Sequence, residues 1–223
     1  MAKRGYFSST IGKKQSMALA GLGLCVFVLV HAAGNMLLFK SPEAYNEYSH
    51  ALVTNHLIGI IELGLLFIFL VHVIDGLIVS IRNRSARQTK NAIRTNGPKG
   101  TSLIKRTMIL QGIIVFVFIC LHLYEFKYGP YYSVTYNGVK MRDLYRLVHQ
   151  VFQSPIYVVW YVVAVTILCF HLSHGLYSAL QTLGMQNARY RAMGKAISVA
   201  FGILVTGMFA AQPIYMFLST RIN

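Results

Sequence analysis

Eight histidines occur in this 223-residue sequence, and five of them (His31, His72, His122, His171 and His174) fall inside long apolar stretches. An ionisable side chain in such a stretch is expensive, turns toward the interior of a helix bundle, and usually serves a function. Imidazole is also the side chain best suited to ligate a transition metal or to move a proton near neutral pH. One histidine in an apolar helix needs no more than an interhelical hydrogen bond to explain it. At least one in each of four successive stretches is a set. Cys25, Cys120 and Cys169 stand alone, with no disulfide framework, CxxC or CxxCH. No HExxH is present either.

The elements that must position these histidines follow from composition. Hydrophobic residues make up 55% of the chain and charged residues 12%, about half the charged share of a soluble domain, and mean hydropathy is +0.52. Five stretches reach the roughly 20 apolar residues that a spanning helix requires: 17–39, 56–81, 107–126, 155–182 and 196–218. Pro155 suits a first helical turn. The first stretch is too long for a cleaved leader and lacks a small-residue cleavage site. The sequence therefore predicts an all-α membrane bundle of five transmembrane helices, forming a single domain over 1–223. No soluble catalytic domain is left over.

Charge sets the expected orientation. Lys3, Arg4, Lys13, Lys14, Arg82, Arg84, Arg87, Lys90, Arg94, Lys99, Lys105, Arg106, Arg189, Arg191 and Lys195 crowd one side with no acidic residue among them. The opposite side mixes Lys40, Lys127, Lys140, Arg142, Arg146 and Arg221 with Glu43, Glu47, Glu125 and Asp143. The positive-inside rule places the N-terminus in the cytoplasm, and the expected location is the bacterial cytoplasmic membrane. Basic blocks between apolar stretches point to membrane topology and away from nucleic acid. That basic face suits anionic lipid or a docked soluble partner.

Depth along the helices sorts the histidines. At 1.5 Å per residue, His31 and His122 lie roughly 21–25 Å from the cytoplasmic ends of their stretches, and His72 and His174 roughly 12–14 Å. His171 matches His72 nearly as well as His174 does, so it stays the alternative. Four imidazoles at two depths do not converge on one tetrahedral zinc. They suit two haems, each iron held by two histidines from different helices and left with no open position. The expected axial ligands are His31 and His122 for an outer haem b, and His72 and His174 for an inner one. Gly34, Gly76 and Gly175 beside them would let a flat ring approach the backbone.

Four segments then resemble one family. They are His31-Ala-Ala-Gly-Asn35, Ala44-Tyr-Asn-Glu-Tyr48, His72 with Asp75-Gly76, and His171-Leu-Ser-His-Gly-Leu-Tyr-Ser-Ala-Leu-Gln181. In this order on five spans, they resemble the single-chain dihaem cytochrome b anchor of succinate:quinone oxidoreductases, including quinol:fumarate reductases. The resemblance implies flavoprotein and iron–sulfur partner subunits on the cytoplasmic face. It also implies electron transfer through the inner and then the outer haem to a quinone, menaquinone being the expected one. Succinate chemistry would lie in the partners. Some fumarate reductases of this family have a proton-carrying glutamate two residues before the fourth-span ligand; that position is Leu172 here, or Cys169 if His171 is the ligand, so the resemblance does not extend to a transmembrane proton route. A cytochrome b serving a hydrogenase or formate dehydrogenase, or a haem-free transporter, remains open on sequence.

Quinone reduction needs a proton donor. Glu62 is the expected one, a glutamate well inside the second predicted span, with its proton affinity raised by an apolar surround; a hydrogen bond within the bundle or near a propionate is the other reading. His50 and His56 lie at the outer rim, where they could relay protons or grip the quinone. Asp75 is expected to pair with Arg82 or the Lys105-Arg106 cluster. Arg82, Lys105, Arg106, Ser178 and Gln181 are candidate propionate partners. Tyr124, Phe126, Tyr128, Tyr131, Tyr132, Tyr157 and Trp160 read as an interfacial aromatic belt.

Overall fold

The computed structural model describes residues 5–86 and 103–222. Lys3, Arg4, Arg87, Lys90, Arg94 and Lys99 of the basic set lie outside the described residues, as do the side chains of Lys105 and Arg221. Within the described residues the chain is an all-α membrane bundle with one small hairpin. Five helices are long and apolar enough to span: α1 (Thr10–Asn35), α3 (Ile58–Ser85), α4 (Leu103–His122), α6 (Pro155–Thr182) and α7 (Arg191–Ile222). Two short helices, α2 (Pro42–Val53) and α5 (Leu144–Val151), lie between them with strands β1 (Ser133–Tyr136) and β2 (Val139–Arg142).

The fourth span keeps its expected bounds, whereas α1, α4 and α7 begin earlier than the apolar windows. Hydropathy marks only the part of a helix that needs lipid, while the backbone ladder continues into the charged residues beyond it. Ser9 caps α1 by accepting a hydrogen bond from the Gly12 amide at 3.0 Å. Past His122 the chain does not simply stop. Leu123–Lys127 forms a π-helical turn, a distortion frequent at functional sites.

Helices α1 and α6 are central: α1 packs on α3, α6 and α7, and α6 packs on α7, α1 and α4. Small residues permit the close contacts, as membrane helices require. A Cβ at Gly202 of α7 would stand 2.9 Å from the Cys169 carbonyl of α6. Large apolar side chains such as Ile60, Phe67 and Ile156 point outward, as lipid contact demands.

The buried core sits at one end of the bundle instead of its middle. Leu38, Tyr45, Val148, Phe152, Tyr161 and Met216 form it, where α2 and α5 close over the ends of α1, α6 and α7. This is the capped end; the basic end is opposite. The hairpin pairs Ser133 with Arg142 and Tyr136 with Val139. It turns at Asn137 (φ 51°) and Gly138 (φ 79°), the Asn-Gly pair that a tight hairpin requires.

Asn46, wholly buried, latches the cap. Its amide donates to Asp143 Oδ1 and its carbonyl accepts from the Tyr145 amide, both at 2.9 Å. Asp143 in turn caps α5 by accepting from the Arg146 amide at 3.0 Å. Two residues of the expected aromatic belt, Phe126 and Trp160, turn inward and pack on this core, whereas Tyr124, Tyr128, Tyr131 and Tyr157 stay exposed. Replacing Asn46 with Ala is expected to destabilise the protein by about 1–3 kcal/mol, the cost of stranding buried partners. Thermal unfolding in nanodiscs measures it, and an unchanged midpoint would show that the cap is held by other contacts.

Candidate functional site

Helices α1 and α4 bring His31 and His122 together near the capped end, with ring centres 5.9 Å apart and planes at 87°. Helices α3 and α6 bring His72 against His171, ring centres 6.1 Å apart and planes at 75°. The ring contact to His72 is thus made by the alternative of the sequence reading. His174 lies one turn nearer the basic end of α6, within electrostatic reach of His171. Sequence depth placed both candidates at nearly one level and could not choose the face.

Two helices measure the separation of the levels. On α1, a Cβ at Gly21 would meet the His72 ring at 3.2 Å, while His31 meets His122. Gly21 and His31 are ten residues apart, about 15 Å at 1.5 Å each. On α6, Tyr161 packs on His122 with centroids 6.2 Å apart, and His171 packs on His72. That is again ten residues and about 15 Å.

The surroundings of each ring fix its chemistry. His72 Nδ1 lies 3.2 Å from the Met17 carbonyl, a hydrogen bond that puts the proton on Nδ1 and leaves the lone pair on Nε2. At the capped end, Tyr45 donates to Asn35 Oδ1 at 3.1 Å, and the Asn35 amide lies 3.3 Å from His31 Nε2. Burial raises the Tyr45 phenol well above its usual range, so it remains a neutral donor. With Asn35 donating, the His31 lone pair also sits on Nε2. Phe27, stacked on His31 at 5.5 Å, and Phe209 complete that wall.

These residues fit haem in their spacing. Metal–nitrogen bonds of about 2 Å, with each ring centre about 1 Å behind its nitrogen, put the centres of two axial imidazoles roughly 6 Å apart. His122 Nδ1 and His171 Nδ1 are buried without a hydrogen-bond partner, an arrangement that a bound group would relieve. Among the described residues no three of His, Cys, Asp and Glu gather to hold one metal ion, so the histidines stand as pairs.

The glycines that approach histidine rings are Gly21 and Gly112, the latter 3.8 Å from His171 Cε1 by its would-be Cβ. The three expected from sequence do other things. Gly34 makes room for Tyr48, Gly76 faces the Met17 sulfur, and Gly175 has nothing beside it.

The acidic residues depart further from expectation. Glu62 is not in an apolar surround: its carboxylate pairs with Lys127 Nζ at 2.5 Å, and its side chain is 48% exposed. Asp75 pairs across to α1, with Lys13 Nζ at 2.8 Å and the Ser16 hydroxyl, instead of with Arg82. Arg82 reaches the Ser8 carbonyl at 3.0 Å. Glu125, counted by sequence among the outer-side charges at the end of the third stretch, accepts a hydrogen bond from the buried Tyr161 at 2.7 Å. Its spacing three residues after His122 was the available signal. His50 lines a recess of about 280 Å³ on the capped face with Ser49, Tyr131 and Arg142, and His56 is exposed. Lys14, Arg84, Arg106, Arg189, Arg191 and Lys195 are exposed at the basic end.

No protein-family model, curated protein or solved structure matches the chain.

The Lys13–Asp75 pair is largely shielded, with side chains 18% and 11% exposed. A double-mutant cycle with Lys13→Met and Asp75→Asn is expected to give a coupling of about 1–3 kcal/mol in unfolding free energy. A coupling near zero would mean that α1 and α3 are joined by other contacts.

Proposed function

We propose that this chain is a dihaem cytochrome b, the membrane anchor of a succinate:quinone oxidoreductase, passing electrons between a cytoplasmic iron–sulfur subunit and membrane quinone. The observation that carries this reading is the pair of imidazole couples, each bridging two helices at the spacing an iron would require, about 15 Å apart along α1 and α6. Haem iron with two histidine ligands has no vacant position and exchanges single electrons.

His31 and His122 hold the group at the capped end, and His72 and His171 hold the one at the basic end. Met17 leaves the lone pair of His72 free on Nε2, whereas the Asn35 amide donates to His31 Nε2 and would have to yield that nitrogen to an iron. The Lys13–Asp75 pair, one turn from His72, keeps α1 and α3 in register around the lower couple. His174 is a candidate propionate partner in place of a ligand.

The exposed cations at the basic end suit docking of flavoprotein and iron–sulfur subunits, and positive-inside topology puts that face in the cytoplasm of a bacterial cell. Quinone, of menaquinone type by the resemblance, then reacts near the capped end. Lipid covers the rest.

Reduced-minus-oxidised spectra of the purified chain, with pyridine extraction, test the reading. Two low-spin b-type components are expected, and a colourless preparation would refute it. His31→Ala and His122→Ala should each abolish one component. His72→Ala and His171→Ala should each abolish the other, while His174→Ala retains both. If His174→Ala abolishes the lower component and His171→Ala spares it, the ligand assignment reverts to His174. Co-purification of a flavoprotein of dehydrogenase size supports the succinate partner over a hydrogenase or formate dehydrogenase.

A further inference from the structure

Beside the upper histidine couple, the π-helical turn Leu123–Lys127 swings Glu125 toward α6. There its Oε2 accepts the hydroxyl proton of Tyr161 at 2.7 Å. Tyr161 is 5% exposed and packs on His122, Phe118, Phe126 and Phe152. Tyr157, one turn toward the membrane surface on α6 and 42% exposed, approaches the same carboxylate. Glu125 thus connects a buried phenol beside the histidines to an exposed one at the rim. The Trp160 indole N–H, at the same level, is buried without a partner, a donor left for a ligand's oxygen.

Other charged groups nearby are committed elsewhere. Lys127 is bound to Glu62, and the Arg142 guanidinium to the carbonyls of Lys127, Gly129 and Pro130. From the elements packed here, the titratable groups facing Glu125 are Tyr161 and Tyr157 of α6, with Tyr124 beside it on its own turn.

We propose that Glu125 is the group that exchanges protons with quinone at the capped end, with Tyr161 as its positioning partner and the Trp160 indole as a hydrogen-bond donor to a quinone carbonyl. This rests on the proposed function for its electron source. Reducing one quinone takes two electrons and two protons; a haem held by His31 and His122 would supply the electrons one at a time. Each proton leaves a Glu125 carboxyl oxygen as a new O–H bond forms on a quinone oxygen, and the carboxylate regains one from water at the Tyr157 rim. Quinol oxidation runs the same transfers in reverse. General acid–base groups of this kind contribute roughly 10²–10⁴-fold to rate. Glu62, already paired with Lys127, is not needed.

The haem-loaded full chain in nanodiscs, oxidised and mixed with dimethylnaphthoquinol, gives the test. Glu125→Gln keeps an oxygen to accept from Tyr161 but cannot carry a proton. It is expected to slow haem reduction about 10²-fold and to leave haem content and unfolding midpoint as in wild type. Quenching of Trp160, the only tryptophan, by dimethylnaphthoquinone should give unchanged affinity. A protonated-carboxyl band in the quinone-dependent infrared difference spectrum should vanish. Tyr161→Phe should retain the band at a shifted frequency and displace the pH profile of haem reduction.

Wild-type rate or a persisting band in Glu125→Gln overturns the assignment, as does loss of quenching affinity without loss of rate at saturating quinol. So does a slow phenotype confined to Glu62→Gln. Failure of the wild-type chain to take up haem sinks the proposed function instead, and the two failures are thereby separate.

Discussion

Imidazole rings facing one another across helices, in an apolar interior, impose the strictest demand on this fold. A polar nitrogen in such a place must be answered from within the protein or by something the protein holds. The structure answers some of them itself. The Met17 carbonyl takes His72 Nδ1, and Asn35, oriented by Tyr45, takes His31 Nε2. Others, at His122 and His171, it leaves open. A bundle stabilised only for its own sake would have little reason to retain unsatisfied nitrogens at two levels.

The two ends of the bundle are built on different principles. At one, buried aromatics, the Asn46 latch and a short hairpin knit α2 and α5 into a lid over the spanning helices. At the other, α1 and α3 are joined by one shielded ion pair, and the remaining described cations stand mostly in solvent. One end is closed by apolar packing, and the other is open and charged.

Much of this was readable from the sequence because membranes make length and hydropathy nearly decisive. The five spans, the histidine set and its division into two depths follow from apolar runs and a fixed rise per residue. What the sequence could not resolve was direction around a helix axis. His171 and His174 differ by under 5 Å in depth but by about 60° in facing, and only packing of α6 on its neighbours selects between them. Glu125 escaped for another reason: it was counted among the outer-side charges at the end of the third stretch, although a spacing of three residues from His122 puts the two on nearly one face. Glu62 looked buried because its neighbours in sequence are apolar, yet it lies on the outside with Lys127. The Ala44–Tyr48 segment proved to be a clasp, Tyr45 on Asn35, Asn46 on α5 and Tyr48 against Gly34.

Because α1 and α6 each touch both histidine couples, the gap between them is spanned by two unbroken hydrogen-bonded rods. Sliding or tilting either helix carries both couples along together, so their spacing is held by the helices themselves. If the couples hold the two haems proposed above, tunnelling between them would proceed at a nearly constant rate, and control over current would fall to the steps at either end.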